Sequence, residues 1–398
     1  MKNIIYKILV CLPIVSLLGC NEKLDTVEGK TPTGVYMSKE SVSIDIKADQ
    51  GELILEPRLA RLVDTDVQVT ISVADFLEEY NKRNNTSYRY LPQVAYTLSE
   101  VNNPKNTMVN DKITITIKRG NYTSKLKLKI EGFDDQNYPI NIRYAIPLKI
   151  VSADARVLQE KETIVTFNRP FSTSLVKVEK GNNLVAKLPA DIQESSEFTA
   201  QMHVIFTDLD VENQTTINLT HNEKNGYYTR VASKTRGEAT YGGSEGLQVK
   251  DGPADGPTTW TQKKLETHKW YQITYTFKNN EFKVYLNGEL VNTLERFGKK
   301  ILPGESIYVG NQQEAWSATH YLREVRFWNR ALSAAEIKDG LYLPVDPESK
   351  GLLIYLPLDK KNGFNNLTKF NVEVKAPTNV EWIENVKFPA EKLEIQKP

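Results

Sequence analysis

Short stretches in which apolar and polar residues alternate recur along nearly the whole chain, and a period of two is the signature of half-buried strands. Ser41 to Ile46 reads SVSIDI, and Val67, Val69, Ile71 and Val73 occupy every second position. Ile113, Ile115 and Ile117 lead through Arg119-Gly120-Asn121 into Leu126, Leu128 and Ile130, which predicts a hairpin with turn chemistry in its loop. Ala145 to Val151 and Thr163 to Phe167 supply two more strands. One helix interrupts them, Ala74 to Arg83, with Phe76, Leu77 and Tyr80 on one face. This density of short strands predicts an Ig-like β-sandwich over residues 34–169.

The pattern resumes after Ser174. Phe198 to Phe206, Thr215 to Leu219, Trp270 to Phe277, Glu281 to Leu286 and Tyr321 to Trp328 read as strands. Asn287-Gly288 is the strongest short hairpin signal in the chain. Ser333-Ala334-Ala335-Glu336 has the spacing of a capping box that opens a short helix. Leu352 to Pro357 and Val380 to Val386 return to strands at the C-terminal end. Residues 174–398 are therefore expected to form a jelly roll or two-sheet sandwich, and the chain as a whole to be all-β.

The first twenty residues follow a different rule. Lys2 and Lys7 precede an apolar run from Ile8 to Leu18, too short to span a bilayer as a mature helix. The run ends in Leu17-Leu18-Gly19-Cys20, which resembles a bacterial lipobox. That resemblance implies a lipoprotein signal peptide over 1–19, with lipid attached to Cys20. Several acyl chains on one cysteine hold a protein firmly, whereas one alone is marginal. Residues 20–33 are polar and aperiodic and read as a tether. The expected location is the outer membrane, lipid-anchored and facing the cell surface. Lys+Arg 51 against Asp+Glu 50 leaves a net charge of +1, so no bulk basicity draws the chain to nucleic acid.

Two resemblances add to this reading. Gly34-Val35-Tyr36-Met37, the segment DFLEEYNKRNNTSYRYLP and Ile146-Pro147-Leu148-Lys149-Ile150 resemble the N-terminal lipoprotein domain common in Bacteroidetes surface proteins of glycan-utilisation systems. The resemblance implies a spacer or platform. HKWYQITYTFKNNEFKVYLNGELV, followed by YLREVRFWNRALSAAEI, resembles the laminin-G-like branch of the concanavalin A-like lectin/glucanase superfamily. Lectins, glucanases and adhesion modules share that fold, so the site has to be argued from residues.

Hydrolases of the superfamily use Glu-x-Asp-x-Glu on one strand, which sets three carboxyls on one face. Asp208-Leu209-Asp210-Val211-Glu212 approaches this but begins with the shorter Asp. Retaining hydrolysis wants two carboxyls about 5–5.5 Å apart, and the segment reads as a solvated turn. No catalytic residue is assigned. His203, His221, His268 and His320 show no metal-ligand spacing. A structural calcium is common in laminin-G-like domains, and Asp251 and Asp255 lie in a loop suited to one. No other cofactor is expected.

Aromatic residues remain. Trp260 follows the Pro- and Gly-rich stretch Lys250 to Pro257, and Trp316 follows Asn311 to Ala315, both expected in loops. A loop indole flanked by amides, acids and glycines suits the apolar face of a pyranose. Tyr241 and Tyr228 are lesser candidates. Trp270 and Trp328, on alternating strands, are expected in cores. The leading expectation is a non-catalytic surface glycan-binding protein that hands oligosaccharide to an outer-membrane importer. A glycoside hydrolase using Asp208, Asp210 and Glu212 is one alternative, and a protein-binding adhesion or scaffold lipoprotein is the other.

Overall fold

The computed structural model describes residues 33–211, 213–219, 227–231, 246–251, 258–261, 263–295, 300–310 and 316–395. The expected leader and Cys20 lie outside these residues. The described chain is all-β apart from short helices.

In the first sandwich, one sheet runs Ser41–Asp45, Glu162–Asn168, Tyr144–Ala153, Val67–Val73, Lys112–Ile117. A four-stranded sheet runs Gly51–Leu55, Leu126–Ile130, Tyr96–Glu100, Asn103–Thr107. The alternating residues meet between them: Val69, Ile71, Ile115 and Ile117 from one side, Leu98, Leu126, Leu128 and Ile130 from the other, all in one buried core. Each such side chain contributes roughly 1.5–3 kcal/mol on burial.

This arrangement corrects one expectation. Ile113–Ile117 and Leu126–Ile130 do not pair as a hairpin, because the first joins Val67–Val73 and the second joins Gly51–Leu55 and Tyr96–Glu100. The intervening loop instead carries the chain from one sheet to the other. Both runs share a period of two because both face the same core, and the period does not specify the partner. The helix spans Leu77–Asn84 and ends at Asn85 in the left-handed region. Phe76 and Leu77 pack on Ala145 and Ile164, with Tyr80 partly buried against them.

Arg169-Pro170 alone separates the strand Glu162–Asn168 from Phe171–Val178, which opens the second sandwich. Its larger sheet runs Glu289–Glu295, Glu281–Leu286, Trp270–Lys278, Phe198–Phe206, His320–Trp328, Phe171–Val178, Val380–Phe388, with Leu352–Leu356 also paired to His320–Trp328. The facing seven-stranded sheet runs Thr258–Trp260, Leu247–Asp251, Tyr227–Val231, Ile217–Leu219, Ser306–Val309, Leu184–Lys187, Val374–Lys375. Phe198, Met202, Phe206, Ile273 and Phe277 pack across the gap with Ile217, Leu219, Leu247 and Val309. Asn287 and Gly288 form the tight turn between Leu286 and Glu289 with positive φ at both residues, 49° and 79°.

The capping box closes as the spacing predicts. The Glu336 amide donates to Ser333 Oγ (3.2 Å), and the Ser333 amide donates to Glu336 Oε2 (2.8 Å). Ser333→Ala should therefore lower stability by about 1 kcal/mol, read from urea unfolding of the otherwise unchanged chain. An unchanged midpoint would mean that packing of Ile337, and not the cap, holds helix Ala334–Asp339.

The strand Tyr321-Leu322-Arg323-Glu324-Val325-Arg326-Phe327-Trp328 departs from simple alternation. Gln201 pairs with Arg326 and His203 with Arg323, so Glu324 and Val325 together oppose Met202 in a bulge, with Glu324 at φ 55°. Leu322, Val325 and Phe327 reach the core, while Arg323, Glu324 and Arg326 form a buried charged group on the sheet's other face.

Candidate functional site

The non-core face of the seven-stranded sheet brings polar and aromatic side chains into cross-strand rows. Arg230 pairs with Gln248, and Gln248 with Trp260, while Val231, Leu247 and Val249 point into the core. Directly opposed residues share a face, so Arg230, Gln248 and Trp260 form one row. Arg230 Nε donates to Gln248 Oε1, which orients the amide beside the indole. Asn218, Tyr308, Val185 and Lys375 form a second row on the same sheet. Asn218 Oδ1 accepts the Thr229 amide (2.6 Å), and Tyr308 is half-buried. Sequence reasoning missed these rows because their strands are two to five residues long, too short for alternation to register.

Trp260 belongs to the edge strand Thr258–Trp260 and not to a loop. Pro257 ends the preceding stretch, and an edge position tolerates a proline at its flank. The Trp260 carbonyl accepts from Asn292 Nδ2 (3.0 Å).

Trp316 is 39% exposed at the entrance to strand His320–Trp328, whereas Trp270 and Trp328 are 0% and 4% exposed, as core positions should be. Its neighbour Ser317 accepts the Gly181 amide at Oγ (2.8 Å), which fixes Trp316 near the turn before Leu184–Lys187. Four strand spacings separate Thr258–Trp260 from Ser306–Val309, and Leu184–Lys187 lies one strand beyond. Four strand spacings amount to about 19 Å along the sheet, so the two indoles are set on well-separated strands.

Tyr228 lies in strand Tyr227–Val231 with its backbone paired to Lys250, and its side chain falls outside the described set. Tyr241, His221 and Glu212 lie outside the described residues. Asp208 and Asp210 sit in an exposed turn past the end of Phe198–Phe206, with Asp208 Oδ1 accepting the Asp210 amide (2.8 Å). They do not share a strand face. Asp251 pairs through its backbone with Tyr227, while Asp255 lies outside the described residues. Among the described residues no group of three or more His, Cys, Asp or Glu is placed to hold a metal ion.

The buried histidines belong to the scaffold. His320 Nε2 meets Gln214 Oε1 at 2.9 Å, and burial pulls its imidazole down to about 4. Burial, with Arg323 and Arg326 nearby, holds His203 well below the ordinary histidine range.

Residues 180–338 match the family model of the concanavalin A-like lectin/glucanases superfamily. The second sandwich is a concanavalin A-like domain. A further family model, for an N-terminal domain, covers residues 29–157. Among solved structures, a Bacteroides ovatus protein provisionally named as carbohydrate-binding is 19% identical, with a TM-score of 0.49, over 87% of this chain and 97% of its own. A SAP-like pentraxin from Limulus polyphemus is 13% identical, with a TM-score of 0.37, over 53% of this chain and 95% of its own. No curated protein matches the chain.

Proposed function

We propose that the protein is a lipid-anchored cell-surface glycan-binding protein that captures oligosaccharide without catalysis. The observation that carries this reading is the row Arg230–Gln248–Trp260 on the non-core face of a concanavalin A-like domain, with Trp316 exposed at the far side. The half-buried Trp260 indole offers an apolar plate to a sugar ring, and the half-buried Arg230 guanidinium, held by the buried Gln248 amide, offers hydrogen bonds to its hydroxyls. Strands set about 19 Å apart along the sheet suit an extended chain of several sugars better than a monosaccharide. The segment Leu17-Leu18-Gly19-Cys20 supports attachment through Cys20 to the outer membrane. The first sandwich then acts as a platform, and an outer-membrane glycan importer is the natural recipient in a glycan-utilisation system.

A glycan array with soluble residues 21–398, run with and without calcium, tests this reading. Trp316→Ala and Trp260→Ala should each weaken binding about tenfold, equivalent to about 1.4 kcal/mol. Because the two residues are far apart, their effects should add in the double variant. Silence across host N-glycans, mannans and plant polysaccharides would overturn glycan capture in favour of a protein-binding scaffold. Turnover of any glycan would replace capture with hydrolysis.

A further inference from the structure

We infer that the junction between the two sandwiches is a second sugar site, selective for a uronate-bearing oligosaccharide; this rests on the glycan reading above but uses none of its residues. The two-residue linker brings two aromatic clusters close together. Phe133 packs edge-on to Phe167 (5.0 Å between centroids) and Tyr144 (5.9 Å) on the first sandwich. Phe171 stacks on Phe388 (5.5 Å), and Tyr342 lies beside the same ring (6.3 Å), on the second. Between them runs a cleft of about 620 Å³ onto which Tyr144, Phe167, Phe171 and Tyr342 open, each only half-buried. That volume lies within the range of small-ligand pockets, which occur preferentially at domain interfaces.

The walls are braced across the junction before any ligand arrives. Tyr88 Oη donates to Asp339 Oδ1 (2.8 Å), and Arg143 approaches the same carboxylate (3.7 Å). Arg89 pairs with Asp346 at 2.6 Å, again from one sandwich to the other. Tyr342 sits at φ 63°, uncommon for a bulky side chain, and its carbonyl accepts from Arg323 Nη1 (2.9 Å). Strain of this kind persists where the surroundings over-determine it, and it clusters at ligand sites.

Charge selects the class of sugar. Lys47, Arg143, Arg169 and Lys338 line the cleft against Asp45 and Asp339. Asp339 is taken by Arg143 and Tyr88, and Asp45 accepts from Asn168 Nδ2 (2.9 Å). Asn168 is neutral, so Asp45 keeps its charge, but Arg143 is matched by Asp339 and Arg169 by Asp135 (3.8 Å), and among the described residues neither exposed lysine is ion-paired. Lys47 and Lys338 then stand against Asp45 alone, a bias that favours a sugar carboxylate over a neutral hydroxyl.

Hydrogen–deuterium exchange of residues 21–398 with oligogalacturonate, oligomannuronate and a hyaluronan tetrasaccharide tests the inference, with neutral oligosaccharides of equal length as controls. At least one uronate should protect peptides over 140–145 and 338–346, with an affinity that falls as salt rises. Lys47→Glu with Lys338→Glu, both at exposed positions, should weaken that protection at least tenfold without changing the melting temperature. Ser43→Trp, which places an indole at the cleft rim, should abolish it. Absence of junction protection by all three uronates would overturn the inference, as would equal protection by neutral sugars or indifference to the lysine variants. Protection over 246–261 and 306–320 reports separately on the Trp260 and Trp316 face, so either site can fail without the other.

Discussion

Glu324→Gln is expected to be among the most damaging single substitutions in the second sandwich, lowering stability by about 3–5 kcal/mol. Glu324 is 2% exposed and lies between two buried arginines, Arg323 at 1% and Arg326 at 3%. Arg323 Nη2 donates to Oε1 (3.0 Å), Arg326 Nη2 to Oε2 (2.5 Å), and Tyr355 Oη to Oε1 (3.2 Å). The amide keeps the volume and removes the charge, leaving two guanidinium groups buried with no anion between them. The same arginines donate to the carbonyls of Tyr342 and Leu343, so the strap over the sheet should loosen as well. Urea unfolding of the variant reads the loss directly. Lys360 and Glu384, both more than half exposed, provide the contrast, because removing an exposed pair costs about 0–1 kcal/mol. A Glu324→Gln loss no larger than that of Glu384→Gln would mean that the arginines find water or other acceptors.

The bulge that creates this group shows where the sequence could and could not be read. Strict alternation in Leu322 to Phe327 would put Leu322, Glu324 and Arg326 on one face, mixing core with charge. The chain resolves the conflict by doubling Glu324 and Val325 against Met202, a tertiary event that no local pattern announces. The Asn287-Gly288 turn and the Ser333 cap were legible because each rests on interactions within a few residues of itself, and Trp270–Lys278 because its own residue types and its neighbouring hairpin strand mark it even though its other partner, Phe198–Phe206, is distant. The pairing of Leu126–Ile130 was not, because its partners Gly51–Leu55 and Tyr96–Glu100 lie far away in sequence. The candidate site divides in the same way. Aromatic residues beside Gly and Pro singled out Trp260 and Trp316 from the sequence. Gln248 and Arg230 entered only when strand register placed them beside Trp260. The junction cleft depends on the approach of two domains and had no sequence signature at all.

Acidification supplies the second large effect. His320 is fully buried, and burial alone pulls its imidazole from the ordinary 6.5 to about 4. His203, 1% exposed beneath Tyr342, is shifted in the same direction by burial first and by Arg323 and Arg326 second. A depressed histidine is neutral in the folded chain at a pH where the unfolded chain binds a proton. Stability is therefore complete above the unfolded value of 6.5, declines as pH falls below it, and stops declining on this account once the folded value is passed. For His320 the window runs from 6.5 to about 4, and the loss across it is about 3 kcal/mol. His203 adds to the decline in the same direction. Urea unfolding at half-unit steps between pH 7.5 and 4 should show the second sandwich losing stability through this range. His320→Gln retains an amide that can donate to Gln214 Oε1 and cannot titrate, so its curve should be flatter than that of the parent chain. Parallel curves for the two proteins would exclude His320 as the group that titrates, and a flat parent curve would exclude both histidines.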